Sequence, residues 1–305
     1  MTITVSVPNP DFRAAVENYD GEVQIIDWDL KSPAPVEFID LVLLPLVTDN
    51  PDLTTLHSVD ARLVQASSIG FEHVLPHIGS KPLANATTVH ETSTSELTLA
   101  LVLAQMRDVP RMVASQGRGE WDTFTAPGLA DKKVLVIGWG GIGKAIGDRL
   151  RPFEVELYRS ASYRREDADG IVYGPEDLPE LLPQMDIVIL IVPGQESTAK
   201  MVDDKFLSLM KDGALIVNMA RGSVADTDAL VAHADRLKVA FDVVDPEPLP
   251  AGHPLYSHPN VLFSAHMGGY SDAMWPRLRA LIHRQIDALS AGREPENVVF
   301  NQSGN

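Results

Sequence analysis

The sequence predicts an α/β protein built from two doubly wound parallel-sheet domains, and three observations carry that prediction. Short aliphatic runs alternate with helical patterns through most of the chain. One such run, Val134-Leu-Val-Ile, flows straight into Gly138-Trp-Gly140-Gly141-Ile142-Gly143. Polar residues then recur just past the later aliphatic runs, the place where open parallel sheets bind ligands.

The elements follow in order. Residues 3–7, 23–26, 41–44 and 64–66 read as strands of a first unit, being short, β-branched and bounded by turn residues. Residues 134–137, 155–157, 187–191, 215–218, 239–241 and 261–263 read as a second series. Crossover helices between such strands imply parallel pairing. Residues 94–107 are apolar nearly all round and predict a helix buried on several sides. Leu278, Leu281, Ile282, Ile286 and Leu289 recur at helical spacing, with Gly292 as the C-terminal cap. This last helix is expected to return to the first unit. The expected domains are therefore 1–97 completed by 275–305, with 98–274 inserted between them.

The totals narrow the function classes. The formal charge of −17 argues against nucleic acid, whose phosphates demand a basic surface. There is no cysteine, which removes disulfides, thiolate metal sites and a thiol nucleophile. No metal site is expected. The longest apolar runs are strand-sized, so no membrane segment is expected. The start, Met-Thr-Ile-Thr-Val-Ser-Val-Pro, alternates like a strand and lacks the basic opening of a signal peptide, which makes the cytoplasm the expected location.

The Gly-x-Gly-x-x-Gly run is the fingerprint of a dinucleotide-binding strand–turn–helix. Gly138 permits the tight turn, Gly140 lets backbone approach a pyrophosphate, and Gly143 lets helix and strand pack closely. The helix start presents free N–H groups to the phosphates. About twenty residues on, where an acid would read the ribose of NAD, the chain has Leu157-Tyr158-Arg159-Ser160. A guanidinium pairs with a 2′-phosphate and a hydroxyl adds a hydrogen bond, so Arg159 and Ser160 point to NADP ahead of NAD. Arg164 and Arg165 are further candidates for the same phosphate or the adenine.

A lone glycine motif is a weak signal, but three ordered segments follow it. Asn218-Met-Ala220-Arg221-Gly222, Asp242-Val-Val-Asp-Pro-Glu247-Pro248 and Ser264-Ala-His266-Met-Gly268-Gly269 each succeed an aliphatic strand. With these residues the chain resembles the D-2-hydroxyacid dehydrogenases, over roughly 61–300. The resemblance implies a Rossmann NAD(P)-binding domain inserted into a flavodoxin-like substrate domain. It implies that Arg221 binds the carboxylate and carbonyl of the substrate, that His266 is the acid/base, and that Glu247 orients His266. It places Gly141, Ile142, Val192, Pro193, Ala220, Asp242 and Gly268 against the cofactor, and the backbone of Ser68, Ile69 and Gly70 against the substrate carboxylate. A homodimer paired through the nucleotide-binding domain is also implied.

The chemistry independently suits those residue types. Reducing a 2-keto acid needs a hydride on carbon and a proton on oxygen. A guanidinium offers a fixed fork of donors matched to a carboxylate, histidine holds an available proton near neutral pH, and a neighbouring carboxylate favours the imidazolium. The expected function is thus an NADP-dependent oxidoreductase of a small 2-keto or 2-hydroxy acid, glyoxylate- or hydroxypyruvate-like. Two alternatives stay open: the same fold with a formate or phosphite donor, and a dinucleotide-sensing, corepressor-like binding protein.

Blander readings apply elsewhere. His73 and His77 have metal spacing on a helix, but Pro76 disturbs that register. His253 and His258 flank prolines in a loop and are the rivals of His266. Ala225 stands where the family often has an acid, with Asp226 next, in a position read as structural. The Val192-Pro193 loop continues Gly-Gln-Glu-Ser-Thr, which departs from the family pattern. Trp121, Met274 and Trp275 read either as pocket lining or as packing.

Overall fold

The computed structural model describes residues 2–301. One compact unit is Met1–His90 with Asp272–Asn305, and the second is Glu91–Ser271. The boundaries thus fall earlier than the expected 97/98 and 274/275. The reason is local: the helix expected at 94–107 begins at Glu91 and has its main contacts with elements of the second unit.

The first unit has strands β1 (Ile3–Val7), β2 (Val23–Asp27), β3 (Phe38–Leu43), β4 (Asp60–Gln65) and β5 (Leu83–Ala84). They run parallel in the order β2-β1-β3-β4-β5, the flavodoxin-like arrangement. A terminal strand, Val298–Phe300, adds antiparallel to β5. Helix α1 (Pro10–Glu17) starts where the Asn9 side chain accepts from the Asp11 and Phe12 amides, with Pro10 at its first position. A short helix α2 (Leu75–Ile78) contains His77, so the proposed helical register with His73 is absent.

The C-terminal helix Met274–Ser290 closes this unit as expected. Leu278, Leu281, Ile282, Ile286 and Leu289 share one core with Ile3, Val5 and Phe12. The helix ends in a Schellman-type turn, with Gly292 at φ +66 and the Arg293 amide donating to the Ala288 carbonyl. Met274 is buried in that core, and Trp275 stacks edge-on to Phe12 at 5.4 Å, so both are packing residues. Trp121 is fully exposed.

The second unit opens with α3 (Glu91–Met106) and α4 (Val109–Gly117). Its sheet contains β6 (Lys133–Ile137) and β7 (Glu156–Ser160), with α5 (Gly141–Leu150) between them. A hairpin of β8 (Arg165–Asp167) and β9 (Gly170–Val172) follows, then α6 (Leu178–Leu181). The unit continues with β10 (Ile187–Leu190), α7 (Asp204–Leu209), β11 (Leu215–Asn218), α8 (Thr227–His233), β12 (Lys238–Phe241) and β13 (Val261–Phe263). The sheet order is β7-β6-β10-β11-β12-β13, parallel throughout. A single parallel bridge from Tyr173 to Ser160 stands where a Rossmann sheet carries its outer strand.

The expected strand 155–157 is displaced: β7 continues to Ser160 because Val136 and Ile137 of β6 pair with Arg159 and Ser160. Arg159 and Ser160 therefore lie in the strand and not beyond it. Likewise β3 and β4 begin earlier than expected, at Phe38 and Asp60, since the ladder extends past the aliphatic run. The hairpin, β5 and the terminal strand lacked the length or alternation that would signal them.

Gln285 anchors the returning chain. Wholly buried, it donates to the Gln65 side chain at 2.8 Å and to the Glu296 carbonyl at 2.8 Å, and it accepts from the Glu296 amide at 3.0 Å. Gln285→Leu keeps the volume but strands those partners, so chemical denaturation should register a loss of about 1–3 kcal/mol. A stability within 0.5 kcal/mol of the parent, roughly the effect of a neutral surface change, would contradict this role.

Candidate active site

The glycine turn, Arg159, Ser160, Val192, Pro193, Arg221, Asp242 and His266 lie at or just beyond the carboxyl ends of strands in the second unit, whereas Arg164 and Arg165 open the β8 hairpin and Trp121 follows α4. Gly138 to Gly143 form the turn from β6 into α5. Gly138 has φ +112, and a Cβ there would strike the Ile191 carbonyl; a Cβ on Gly143 would strike the Gly138 carbonyl. These glycines are required by close backbone approach. At Gly140 an added Cβ would meet nothing within 4 Å, so space lies open at the helix start. The helix N-cap is Gly140, which has no side chain to cap the first amides. A glycine turn with open space at its cap fits a dinucleotide pyrophosphate.

Val192 and Pro193 follow β10, and the loop is tied down by the Thr198 hydroxyl, which donates to the Pro193 carbonyl at 2.7 Å. Arg221 follows β11. The buried Asn218 side chain accepts from the Ala220 amide at 3.1 Å and donates to the Arg221 carbonyl at 3.1 Å, which shapes the turn that presents the guanidinium. Arg221 also donates to the Ala220 carbonyl at 2.7 Å, and its stem lies against Gly194. Gly222 is packed so close to the Val244 carbonyl that no Cβ would fit. Asn218 was legible only as a polar residue ending an aliphatic strand. Its turn-forming role rests on hydrogen bonds to residues two and three positions further on.

His266 and Glu247 are brought together. The imidazole Nδ1 lies 2.6 Å from the Glu247 carboxylate, and both side chains are part-exposed. The carboxylate fixes the ring and leaves Nε2 as the other proton-carrying position. Both residues line a cavity of about 280 Å³ with Phe241, Tyr256 and Phe263. A hollow of about 400 Å³ in the first unit is larger, but its cation, Arg13, is already paired with Asp27 and Glu17. Of these two cavities, the one beside the His266–Glu247 pair is the one lined by sequence-predicted site residues.

Asp242 has a use beyond the expected cofactor contact. Its carboxylate is buried and accepts from the Ser264 hydroxyl at 2.5 Å, the Met267 amide at 2.7 Å and the Gly268 amide at 2.8 Å. Its carbonyl accepts from the His266 amide at 2.7 Å. His266 itself has φ +53, a left-handed conformation unusual for a residue with a side chain. Asp242 therefore clamps the strained segment that aims the imidazole.

Arg159 is placed differently from the expectation of a ready phosphate ligand. Its side chain is 5 % exposed, and NH1 lies 2.9 Å from Asp167. NH2 donates to the Ile171 carbonyl at 3.2 Å, and the guanidinium carbon stands 5.4 Å from the Trp139 ring centre. Ser160 is buried, and its carbonyl accepts from the Gly138 amide at 2.9 Å, so β7 is joined to the glycine turn. Arg164 pairs with Asp177 and Arg165 stacks on Tyr163.

The rival histidines are employed elsewhere. His253 accepts from the Leu255 amide at 3.3 Å, and His258 accepts from the Asn260 amide while facing Asp235. Asp226 caps α8 through the Asp228 and Ala229 amides, the structural role read for it, and Lys200 holds its carboxyl below the usual range. In the first unit, Ser68, Ile69 and Gly70 follow β4. The Ser68 hydroxyl donates to the Gly70 carbonyl at 2.6 Å, and the Ile69 carbonyl accepts from Asn85 at 2.8 Å. Among the described residues no three metal-ligating side chains cluster, and no helix is long and apolar enough to cross a membrane.

Comparison with known proteins agrees with this geometry. A family model described as the NAD binding domain of the D-isomer specific 2-hydroxyacid dehydrogenases matches residues 99–268. A glyoxylate reductase of Thermofilum pendens is 30 % identical, the match covering 97 % of this chain and 93 % of that protein. The human glyoxylate reductase/hydroxypyruvate reductase is also 30 % identical, over 87 % of each. An NADPH-dependent glyoxylate/hydroxypyruvate reductase of Sinorhizobium meliloti, solved with NADP and sulfate, superposes with a TM-score of 0.84 at 20 % identity, covering 98 % of both chains. That last likeness bears on the fold. With the glycine turn and the strand-end residues already in place, the family match is decisive: the chain belongs to the D-isomer specific 2-hydroxyacid dehydrogenases, oxidoreductases with a Rossmann nucleotide-binding domain.

Proposed function

We propose that the protein reduces a small 2-keto acid of the glyoxylate or hydroxypyruvate kind, with NADP as its preferred cofactor over NAD. The observation that carries the reading is the 2.6 Å His266–Glu247 pair, displayed at a strand end two strands from the one that presents Arg221. Bound NADPH supplies the hydride that is delivered to the keto carbon. Gly138, Gly140, Gly141, Ile142 and Gly143 would form the turn that holds its phosphates, Ala220 and Asp242 would border its nicotinamide half, and Val192, Pro193 and Gly268 would complete the contacts.

Arg221 holds the substrate carboxylate and polarises the carbonyl, because its planar fork offers several donors at fixed spacing. The backbone of Ser68, Ile69 and Gly70 in the first unit is proposed, on the family resemblance, as a carboxylate-binding loop. As negative charge builds on the carbonyl oxygen, His266 Nε2 gives it a proton, and Glu247 stabilises the imidazolium before that transfer. Carbon gains the hydride and oxygen the proton, which yields the 2-hydroxy acid. We further propose that the protein works as a homodimer in the cytoplasm; of these, the dimer is supported by the family resemblance alone.

Steady-state kinetics with glyoxylate test these roles. His266→Ala should lower kcat by about 10²–10⁴. Arg221→Ala should lower kcat/KM by about 10²–10³, since it removes the groups that bind and polarise the substrate. Either variant retaining full activity would remove that residue from the mechanism. Asp242→Asn puts an amide donor against the Met267 or Gly268 amide. It should cut kcat about tenfold or more while the KM for NADPH changes little, the reverse of what a pure cofactor contact would give.

A further inference from the structure

The guanidinium that would read a 2′-phosphate is already occupied within the chain. We propose that Asp167 is a specificity-determining residue: an internal carboxylate that competes with the 2′-phosphate of NADP for Arg159. This rests on the NADP reading above and deepens it.

The observations concern which partner is fixed and which is free to leave. Arg159 is anchored on several sides: by its backbone in β7, by the Trp139 ring, and by NH2 donating to the Ile171 carbonyl at 3.2 Å. NH1 lies 2.9 and 3.2 Å from the two Asp167 oxygens, and Asp169 stands 3.9 Å from the same nitrogen. Only 5 % of the arginine side chain is exposed, against 38 % for Asp167 and 61 % for Asp169. Both acids sit at the tip of the β8–β9 hairpin, which is held by three residue pairs. The tip turns on the Asp169 amide, which donates to Asp167 at 3.0 Å, and on Gly170 at φ +100. The carboxylates can therefore swing into water while the guanidinium stays in place.

The location is the one such a competition requires. The carbonyl of Ser160, the residue after Arg159, accepts from the Gly138 amide of the glycine turn, so the arginine flanks the nucleotide loop. Charge supplies the rest of the argument. The Arg159 guanidinium holds the Asp167 carboxyl below its usual range, so the pair is ionic at neutral pH. A 2′-phosphate carries more charge and more acceptor oxygens than a carboxylate, so it can displace one, but its affinity is reduced by the fraction of molecules in which the pair is closed. NAD, with a 2′-hydroxyl, gains nothing from opening the pair. The hairpin thus narrows the margin between the two cofactors.

Calorimetric titration of the full chain at fixed ionic strength tests this without catalysis. The probes are NADP⁺, NAD⁺, 2′,5′-ADP and 5′-AMP. Asp167→Asn should tighten NADP⁺ and 2′,5′-ADP by roughly three- to tenfold and leave NAD⁺ and 5′-AMP unchanged. Asp167→Glu keeps the charge and should stay near the parent ratio. Arg159→Leu should abolish the 2′-phosphate advantage. If Arg159→Leu does so while Asp167→Asn leaves NADP⁺ unchanged or weaker, the competition is wrong and the NADP reading stands. If Arg159→Leu leaves the NADP⁺/NAD⁺ ratio unaltered, the NADP reading through Arg159 is wrong. Should Asp167→Asn weaken all four ligands alike, the pair is a structural support of the site, which also overturns the proposal.

Discussion

The site of the second unit depends on one buried carboxylate. Asp242 stands at the end of β12 and gathers the Ser264 hydroxyl and the Met267 and Gly268 amides around its two oxygens. Its own carbonyl takes the His266 amide. A buried anion is costly without such donors, and a left-handed histidine is costly without such restraint. Each requirement answers the other. The imidazole is aimed from a backbone shape that the chain would not otherwise keep.

The parallel sheet explains why the remaining groups stand in one row. Every strand of the six-stranded sheet in the second unit delivers its carboxyl end to the same edge, so residues far apart in sequence become neighbours. β6 brings the glycine turn, β11 brings Asn218 and Arg221, β12 brings Asp242 and Glu247, and β13 brings His266. Adjacent strands lie about 4.8 Å apart, so residues that end neighbouring strands start within reach of one another. The glycines remove side chains where backbone must approach backbone, and their absence of bulk leaves the start of α5 open.

Much of this was legible before the structure, because aliphatic strands and the residues that end them are local signals. The glycine turn and the return of the C-terminal helix depend on periodicity and order along the chain, whereas the roles of Arg221, Glu247 and His266 are read from the family resemblance. What was not legible depends on partners distant in sequence. Arg159 reads as a phosphate ligand until Asp167 is found beside it. The hairpin that carries Asp167 is only three residues long on each side, so it leaves no alternation to detect. Asp242 reads as a cofactor contact, yet three of its acceptor positions go to the histidine loop. Met274 and Trp275 read equally as pocket or packing, and only the core around Phe12 decides between them.

The central claim is that this row of strand ends reduces a 2-keto acid with a 2′-phosphorylated cofactor. The most direct measurement is the initial rate of cofactor oxidation by the purified protein across a panel of 2-keto acids, with NADPH and NADH side by side. The account predicts turnover with a small acid such as glyoxylate or hydroxypyruvate, and a higher kcat/KM with NADPH. No turnover with any 2-keto acid, combined with reduction of NADP⁺ by formate or phosphite or with cofactor binding alone, would contradict it.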